Sequence, residues 1–137
     1  MASVIREIVV AASADEVWAV LRDPGAAHRL FPGVVMATTL DADARIVRFA
    51  HGKVVRELIV ARDDERRRFA YAVVGNGLIH HNASMEVTGD GNGARIRWIT
   101  DVLPDGMCGP VAELVDRGVA AMTSALGVPR DQEPLTE

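Results

Sequence analysis

Apolar residues alternate with polar ones along much of the chain, the pattern of β-strands with one buried face. Runs rich in β-branched residues and bounded by turn residues predict seven strands. The predicted strands cover residues 3–11, 34–41, 45–51, 53–62, 67–74, 79–88 and 94–102. The last six are separated by short segments rich in Gly, Asp and Asn, so we expect them to pair as an antiparallel meander.

Helical periodicity appears on either side of this meander. Ser13 and Glu16 have the spacing of a capping box, which predicts a short helix that ends at Asp23. A further helical turn is predicted over residues 26–31. After Pro104, apolar residues spaced i, i+3, i+4 and i+7 predict a long helix. They are Val111, Leu114, Val115, Gly118, Val119, Met122 and Leu126.

This order predicts an α+β fold in which a curved seven-stranded antiparallel sheet wraps around the long C-terminal helix, with two short helices after the first strand. One helix covers a sheet face only partly, so we expect a cavity between helix and sheet. We expect a single domain over residues 1–137, with its core in 3–127 and a polar tail in 128–137.

The register of the last hairpin follows from two independent patterns. Pairing Met85 with Trp98 aligns the apolar positions of both strands on one face. The same register sets Glu86 opposite Arg97 on the wet face, a favourable pair. It also turns His81 inward.

The hairpin at Gly52 has two possible registers. A two-residue turn of Gly52 and Lys53 would set Arg48 directly opposite Glu57, on one face. A three-residue turn would break that pairing. In the next strand, the face with the aromatic residues, Tyr71 among them, is the expected interior.

Composition narrows the class of protein. The chain has 137 residues, 49% of them hydrophobic and 25% charged, which excludes a largely disordered chain. A net charge of −4 argues against a nucleic-acid or anionic-membrane partner. The single cysteine excludes an internal disulfide, and no apolar run reaches the ~20 residues that span a bilayer. Because the N-terminus also lacks signal-peptide features, we expect a cytoplasmic protein.

Sequence motifs exclude several chemistries. Nucleotide-binding, serine-hydrolase and metalloprotease motifs are absent, and no cofactor is implied. His80 and His81 are neighbours in a strand, so they point to opposite faces and do not chelate one ion. We therefore expect no metal site.

The polar residues expected on the concave face are the candidates for acid–base chemistry. Tyr71 would donate to an enolate oxygen, Arg48 would hold an anionic group, and His81 or Glu57 would accept a proton. The alternative is structural: Arg48 and Glu57 form an ion pair, Tyr71 is a core aromatic, and His81 is a satisfied buried histidine. The apolar candidates for the ligand-binding wall, or else ordinary core, are Trp98, Met85, Ala83, Ile59, Val115 and Met122.

Several short motifs together resemble the START-like, Bet v 1-like (SRPBCC) superfamily, specifically its polyketide cyclase/dehydrase branch. The matching segments are 14–23, 31–34, Arg48 with Gly52 and Glu57, 63–71, 94–98 and 104–106. The resemblance implies the helix-grip fold and a hydrophobic pocket.

The resemblance leaves three functions open. The first is binding or carrying a lipid-, quinone- or polyketide-like molecule, as a monomer or homodimer. The second is a cyclase, dehydratase or isomerase that uses the acid–base candidates. The third is a non-catalytic protein-interaction domain. The chain holds only six aromatic residues, which departs from typical aromatic-substrate pockets.

Overall fold

The computed structural model describes residues 2–129 as one antiparallel sheet with helices on its concave face. The strands are β1 (Ala2–Val10), β2 (Val35–Asp41), β3 (Ala44–Phe49), β4 (Val54–Asp63), β5 (Arg68–Val74), β6 (His80–Asp90) and β7 (Gly93–Leu103). The helices are α1 (Ala14–Leu21), α2 (Ala27–Leu30) and α3 (Cys108–Leu126), with 3₁₀ turns at Pro24–Ala26 and Asp105–Met107. The polar tail was expected over residues 128–137, and its part from residue 130 onwards lies outside the described residues.

The sheet has seven strands in the order β1-β7-β6-β5-β4-β3-β2, so the predicted meander and helix-grip architecture are confirmed. The chain passes from β1 to the far edge through α1 and α2, and α3 then packs back across the concave face. The predicted capping box is also present: Ser13 accepts from the Glu16 N–H, and the Glu16 carboxylate accepts from the Ser13 N–H. Two strand-like hydrogen bonds join the end of α3 to Ala11 and Ala12.

The two hairpins with predicted registers have different outcomes. In β6–β7, Met85 pairs with Trp98 and Glu86 with Arg97, as predicted. In β3–β4, the two-residue turn that would set Arg48 opposite Glu57 is wrong, and the alternative three-residue turn is present. Arg45 pairs with Glu57 instead, while Arg48 pairs with Val54 and is exposed.

The cause is the length of the β3–β4 loop. The Phe49 N–H donates to the Lys53 carbonyl oxygen at 2.9 Å, which closes a three-residue loop. Gly52 occupies the loop position with φ of +94°, a conformation that favours glycine. The observed register of β3 against β4 is shifted by three residues from the register that a two-residue turn would give, since Arg45 and not Arg48 lies opposite Glu57. Because an odd shift exchanges the faces of a strand, Arg48 points away from the concave side.

Gly118 allows α3 to approach the sheet closely. A Cβ atom at this position would lie 2.8 Å from Cη2 and 2.9 Å from Cζ3 of the Trp98 ring. Those distances are shorter than van der Waals contact, so a side chain here would displace the indole. Gly118 thus sets the spacing between helix and sheet at the concave face.

We expect Gly118→Ala to lower the free energy of unfolding by about 1 kcal/mol, because overpacking against Trp98 exceeds the gain in helix propensity. The matched control is Ala120→Gly at an exposed position of α3, which should cost about 1 kcal/mol through propensity alone. Urea denaturation of both variants measures the two effects. Stabilisation by Gly118→Ala would contradict the tight contact with Trp98.

Candidate ligand-binding cavity

A cavity of about 260 Å³ lies between α3 and the concave face of the sheet. Its wall is mainly apolar and comes from α2, the start of β2, the strands β3, β4, β5, β6 and β7, and the first half of α3. The apolar wall residues include Phe31, Val34, Val35, Val47, Phe49, Val55, Val73, Leu78, Val111, Leu114 and Val115. The cavity thus occupies the space that the single long helix leaves uncovered.

Exposed wall residues mark where the cavity reaches solvent. His51 and Lys53 come from the β3–β4 loop, and Asn76 comes from the β5–β6 loop. Glu113 and Arg117 face them from α3. The opening therefore has charged residues of both signs, while the interior is mostly apolar.

Arg45 and Glu57 form an ion pair inside the cavity. Arg45 Nε donates to Glu57 Oε1 at 2.7 Å, and the side chains are only 7% and 9% exposed. The guanidinium carbon also lies 5.1 Å from the ring centres of both Phe69 and Tyr71, within the range of a cation–π contact. Among residues 2–129 the Glu57 carboxylate accepts no other hydrogen bond, so its second oxygen has no protein donor in this part of the chain.

Tyr71 presents a neutral phenol to the cavity. Burial raises the pKa of its hydroxyl far above the ordinary value, and the Glu57 charge raises it further. The positive charge of Arg45 lowers this pKa, but its effect is smaller than the effects of burial and of Glu57. Tyr71 is therefore a hydrogen-bonding group and not a base at neutral pH.

His81 is neutral, and one of its nitrogens is already in use. Burial lowers the pKa of the imidazole to about 4, and the neighbouring His80 lowers it as well. Nδ1 accepts a hydrogen bond from the Val73 N–H at 3.0 Å, which assigns the ring proton to Nε2. At neutral pH the ring therefore offers a donor at Nε2 and no free lone pair for a general base.

Two further polar groups line the cavity on β7. Within residues 2–129, Trp98 Nε1 and Thr100 Oγ1 are buried atoms without a hydrogen-bond partner. Trp98 stacks at a tilt on Phe31, with ring centres 5.6 Å apart. Both side chains are thus held in the wall with their polar atoms unsatisfied.

The structure brings together some of the residues selected from the sequence and separates others. The wall includes Glu57, Tyr71, His81, Trp98 and Val115. Arg48 is on the opposite face of the sheet, so the role of holding an anion inside the cavity does not suit it. The other selected residues, which do not line the cavity, are Ile59, Ala83, Met85 and Met122.

Sequence reasoning missed Arg45 and Thr100. Arg45 shares a face of its strand with Val47 and Phe49, so the two-residue period of the strand could have placed it inside. Arg48 was favoured instead because a two-residue turn at Gly52 would set it opposite Glu57. Thr100 lies two residues from Trp98, so the period of the strand places it on the same face, but a threonine in a strand carries no functional signal by itself. Nothing in a sequence shows that a threonine hydroxyl lacks a partner.

The described residues contain neither a metal-binding cluster nor a membrane-spanning helix. Within residues 2–129, no group of three His, Cys, Asp or Glu side chains has the geometry to hold a metal ion. None of the helices in this range is long and apolar enough to cross a bilayer.

Comparison with known proteins places the chain among related sequences. The model of the family described as polyketide cyclase/dehydrase and lipid transport matches residues 1–127. No curated protein matches the sequence at a significant level.

Solved structures share the fold over nearly the whole chain. An uncharacterised protein from Bacillus thuringiensis is 15% identical with a TM-score of 0.82, covering 91% of this chain and 98% of its own. A Thermobifida fusca protein is 28% identical with a TM-score of 0.74, covering 92% and 91%. Norcoclaurine synthase from Thalictrum flavum, solved with a transition-state analogue, is 21% identical with a TM-score of 0.60, covering 90% and 94%.

Proposed function

The chain belongs to the polyketide cyclase/dehydrase and lipid transport family, and we propose that it binds one small, mainly apolar molecule in the cavity beneath α3. The observation that supports this proposal most directly is the cavity itself, with an apolar wall and few polar groups. Binding sites for small molecules have this composition, because apolar surface supplies affinity and a few polar atoms fix orientation.

The volume of the cavity limits the ligand. An apolar cavity of about 150 Å³ accepts benzene, so scaling to this cavity gives a ligand of about ten non-hydrogen atoms. A single ring with a short substituent, or a simple quinone, has that size. A multi-ring polyketide or a long-chain lipid would need a larger space.

The pKa values of Tyr71 and His81 in the cavity wall support a binding function without catalysis. Tyr71 and His81 both have pKa values shifted away from neutrality, so neither exchanges a proton readily near pH 7. The role of general base, expected for His81 or Glu57, is therefore proposed for Glu57 alone. The preferred function is that of a binding or carrier protein.

Native mass spectrometry of the gently purified protein, compared with a denatured sample, tests this proposal. We expect an extra mass of about 100–200 Da, given a ligand of about ten non-hydrogen atoms. Val111→Phe, which fills the cavity from α3, should abolish it. Ala120→Phe, exposed on the same helix, should retain it. An adduct that persists in Val111→Phe would contradict binding in this cavity.

A second candidate function is an enzyme of the cyclase, dehydratase or isomerase kind. The observation that favours it is the buried Glu57, which lines the same cavity as Tyr71. Glu57 would accept a proton, while Tyr71 and the His81 Nε2–H would donate hydrogen bonds to the developing oxyanion. Glu57→Gln keeps an oxygen for Arg45 Nε but removes the negative charge, so we expect a less stable protein. It still separates the two functions, since the folded variant should lose turnover of a substrate and keep its bound ligand.

A further inference from the structure

The Glu57 carboxylate keeps one oxygen without a donor in a cavity that is otherwise mainly apolar. Oε1 accepts from Arg45 Nε at 2.7 Å, and among residues 2–129 no group donates to Oε2. The residue is only 7% exposed, and the space that it lines is the cavity. Oε2 is not one of the unpartnered atoms sealed inside the wall, which in the described range are Trp98 Nε1 and Thr100 Oγ1. Its lone pairs are therefore open to a molecule in the cavity, and a buried oxygen of this kind calls for a donor.

Two hydrogen-bond donors lie on the strands next to Glu57. β4, β5 and β6 are neighbours in the sheet and present Glu57, Tyr71 and His81 to the same cavity. The ring centres of Tyr71 and His81 are 5.9 Å apart. The Val73 N–H occupies His81 Nδ1, so Nε2 carries the ring proton, and the neutral phenol of Tyr71 has a proton as well. Within residues 2–129 neither proton has an acceptor, and neither atom is sealed in the wall.

The charges in the cavity select a neutral ligand. Arg45 and Glu57 balance each other, so the buried wall carries no net charge at this point. A ligand cation would be repelled by the Arg45 guanidinium, and a ligand anion would be repelled by the Glu57 carboxylate. A neutral group that both donates and accepts matches the wall without adding a charge.

The spacing of the donors and the acceptor favours an amide among such neutral groups. A ketone or an ether has no proton for Oε2. A hydroxyl group has a single oxygen to share between β4 and β6, whose backbones are two strand spacings, about 10 Å, apart. An amide places its donor nitrogen and its acceptor oxygen on opposite sides of one carbon, so it reaches Glu57 with one atom and the two donors with the other.

We propose that the cavity binds a small neutral ligand through an amide group, whose N–H donates to Glu57 Oε2 and whose oxygen accepts from Tyr71 and His81. The inference rests on the proposed binding function and specifies the ligand class: a compact, mainly apolar primary or secondary amide. The apolar remainder of the ligand packs against the part of the wall that includes Phe31 and Val111.

Benzamide and acetophenone make a matched pair of probes, since an amino group in one replaces a methyl group in the other. Isothermal titration calorimetry should show that the wild-type protein binds benzamide about tenfold more tightly. This is the effect of a hydrogen bond to a charged group, reduced by the stronger hydration of the free amide. Benzylamine and benzoate test the charge of the ligand, and both should bind more weakly than benzamide.

Glu57→Gln should remove the preference for benzamide. The glutamine oxygen takes the place of Oε1 beside Arg45 Nε, and its amino group then takes the place of Oε2. Because a donor now faces the benzamide N–H, acetophenone should bind at least as tightly as benzamide. The apolar wall still retains a ligand, so the variant loses selectivity and not binding. Glu86→Gln, exposed on β6 outside the cavity, is the control and should keep the tenfold preference.

Tyr71→Phe separates the two halves of the subsite. It removes a donor to the carbonyl oxygen that both probes carry, so the affinity for each should fall about fivefold while the preference for benzamide persists. Glu57→Asp provides a second variant if Glu57→Gln is too unstable to titrate. It keeps a negative charge for Arg45 but withdraws the carboxylate by one methylene group, so it should also reduce the preference.

The outcomes separate this inference from the function on which it rests. If the wild-type protein binds benzamide no more tightly than acetophenone, the amide subsite is wrong and the binding function still stands. A preference that persists in both Glu57 variants also overturns the subsite, as does tighter binding of benzylamine or benzoate than of benzamide. If no probe binds at millimolar concentration, the amide class is wrong, and native mass spectrometry decides whether the cavity binds another molecule.

Discussion

Replacing Arg45 by methionine is expected to lower the free energy of unfolding by about 3–5 kcal/mol. The substitution leaves the Glu57 carboxylate buried without its cation, and an uncompensated buried charge is strongly destabilising. Methionine retains apolar contact with the rings of Phe69 and Tyr71, so loss of packing adds little. Urea denaturation followed by circular dichroism measures the change.

Arg56 supplies the matched control on the neighbouring strand. Its Nη1 lies 2.6 Å from Asp41 Oδ2, slightly closer than the atoms of the buried pair, but the side chains are 44% and 60% exposed. Exposed ion pairs contribute about 0–1 kcal/mol, so Arg56→Met should have a small effect. Burial, and not the distance between the charges, accounts for the difference between the two variants.

The double variant Arg45→Met/Glu57→Leu tests the cause. Replacing a buried pair by apolar residues is often neutral or stabilising, so this variant should recover most of the loss. If Arg45→Met costs no more than Arg56→Met, the cavity hydrates Glu57 and the pair is not effectively buried. If the double variant is as unstable as the single one, Arg45 acts through packing and not through charge.

The fold could be predicted from the sequence because several local patterns agree. In β6 and β7, the apolar alternation and the opposition of Glu86 and Arg97 define one register. In β3 and β4, only the loop length fixes the register, and Gly52 is compatible with both a two-residue and a three-residue loop. The alternation along a strand determines which of its residues share a face, but the length of the loop determines which residues of two strands lie opposite each other.

The candidate site could be predicted only in part for a related reason. Tyr71, His81 and Trp98 were placed on the concave face by alternation, and all three line the cavity. Their chemistry depends on details that alternation does not encode, such as the Val73 N–H that occupies His81 Nδ1. The partner of Glu57 depended on the loop, so Arg48 was selected and Arg45 was missed.

Acid should destabilise the protein through His81, by about 2 kcal/mol between pH 7 and pH 4.5 at 1.36 kcal/mol per pKa unit. In the folded protein, burial lowers the pKa of His81 from 6.5 to about 4. The unfolded chain therefore takes up a proton below about pH 6.5, while the folded protein does not until about pH 4. Stability contributed by the neutral ring is present above pH 6.5 and is lost as the pH falls toward 4.

His81→Asn isolates this effect, because the asparagine Oδ1 can accept from the Val73 N–H in place of Nδ1 but does not titrate. Urea denaturation at pH 7 and pH 4.5 should show that His81→Asn loses about 2 kcal/mol less than the wild-type protein, whatever its cost at pH 7. His28→Asn, at an exposed histidine of α2, controls for the loss of an imidazole outside the cavity. Parallel pH profiles for His81→Asn and the wild-type protein would mean that His81 titrates equally in the folded and unfolded states. The neutral Nε2–H donor assigned to the cavity would then be wrong, and His81 would again become a candidate general base.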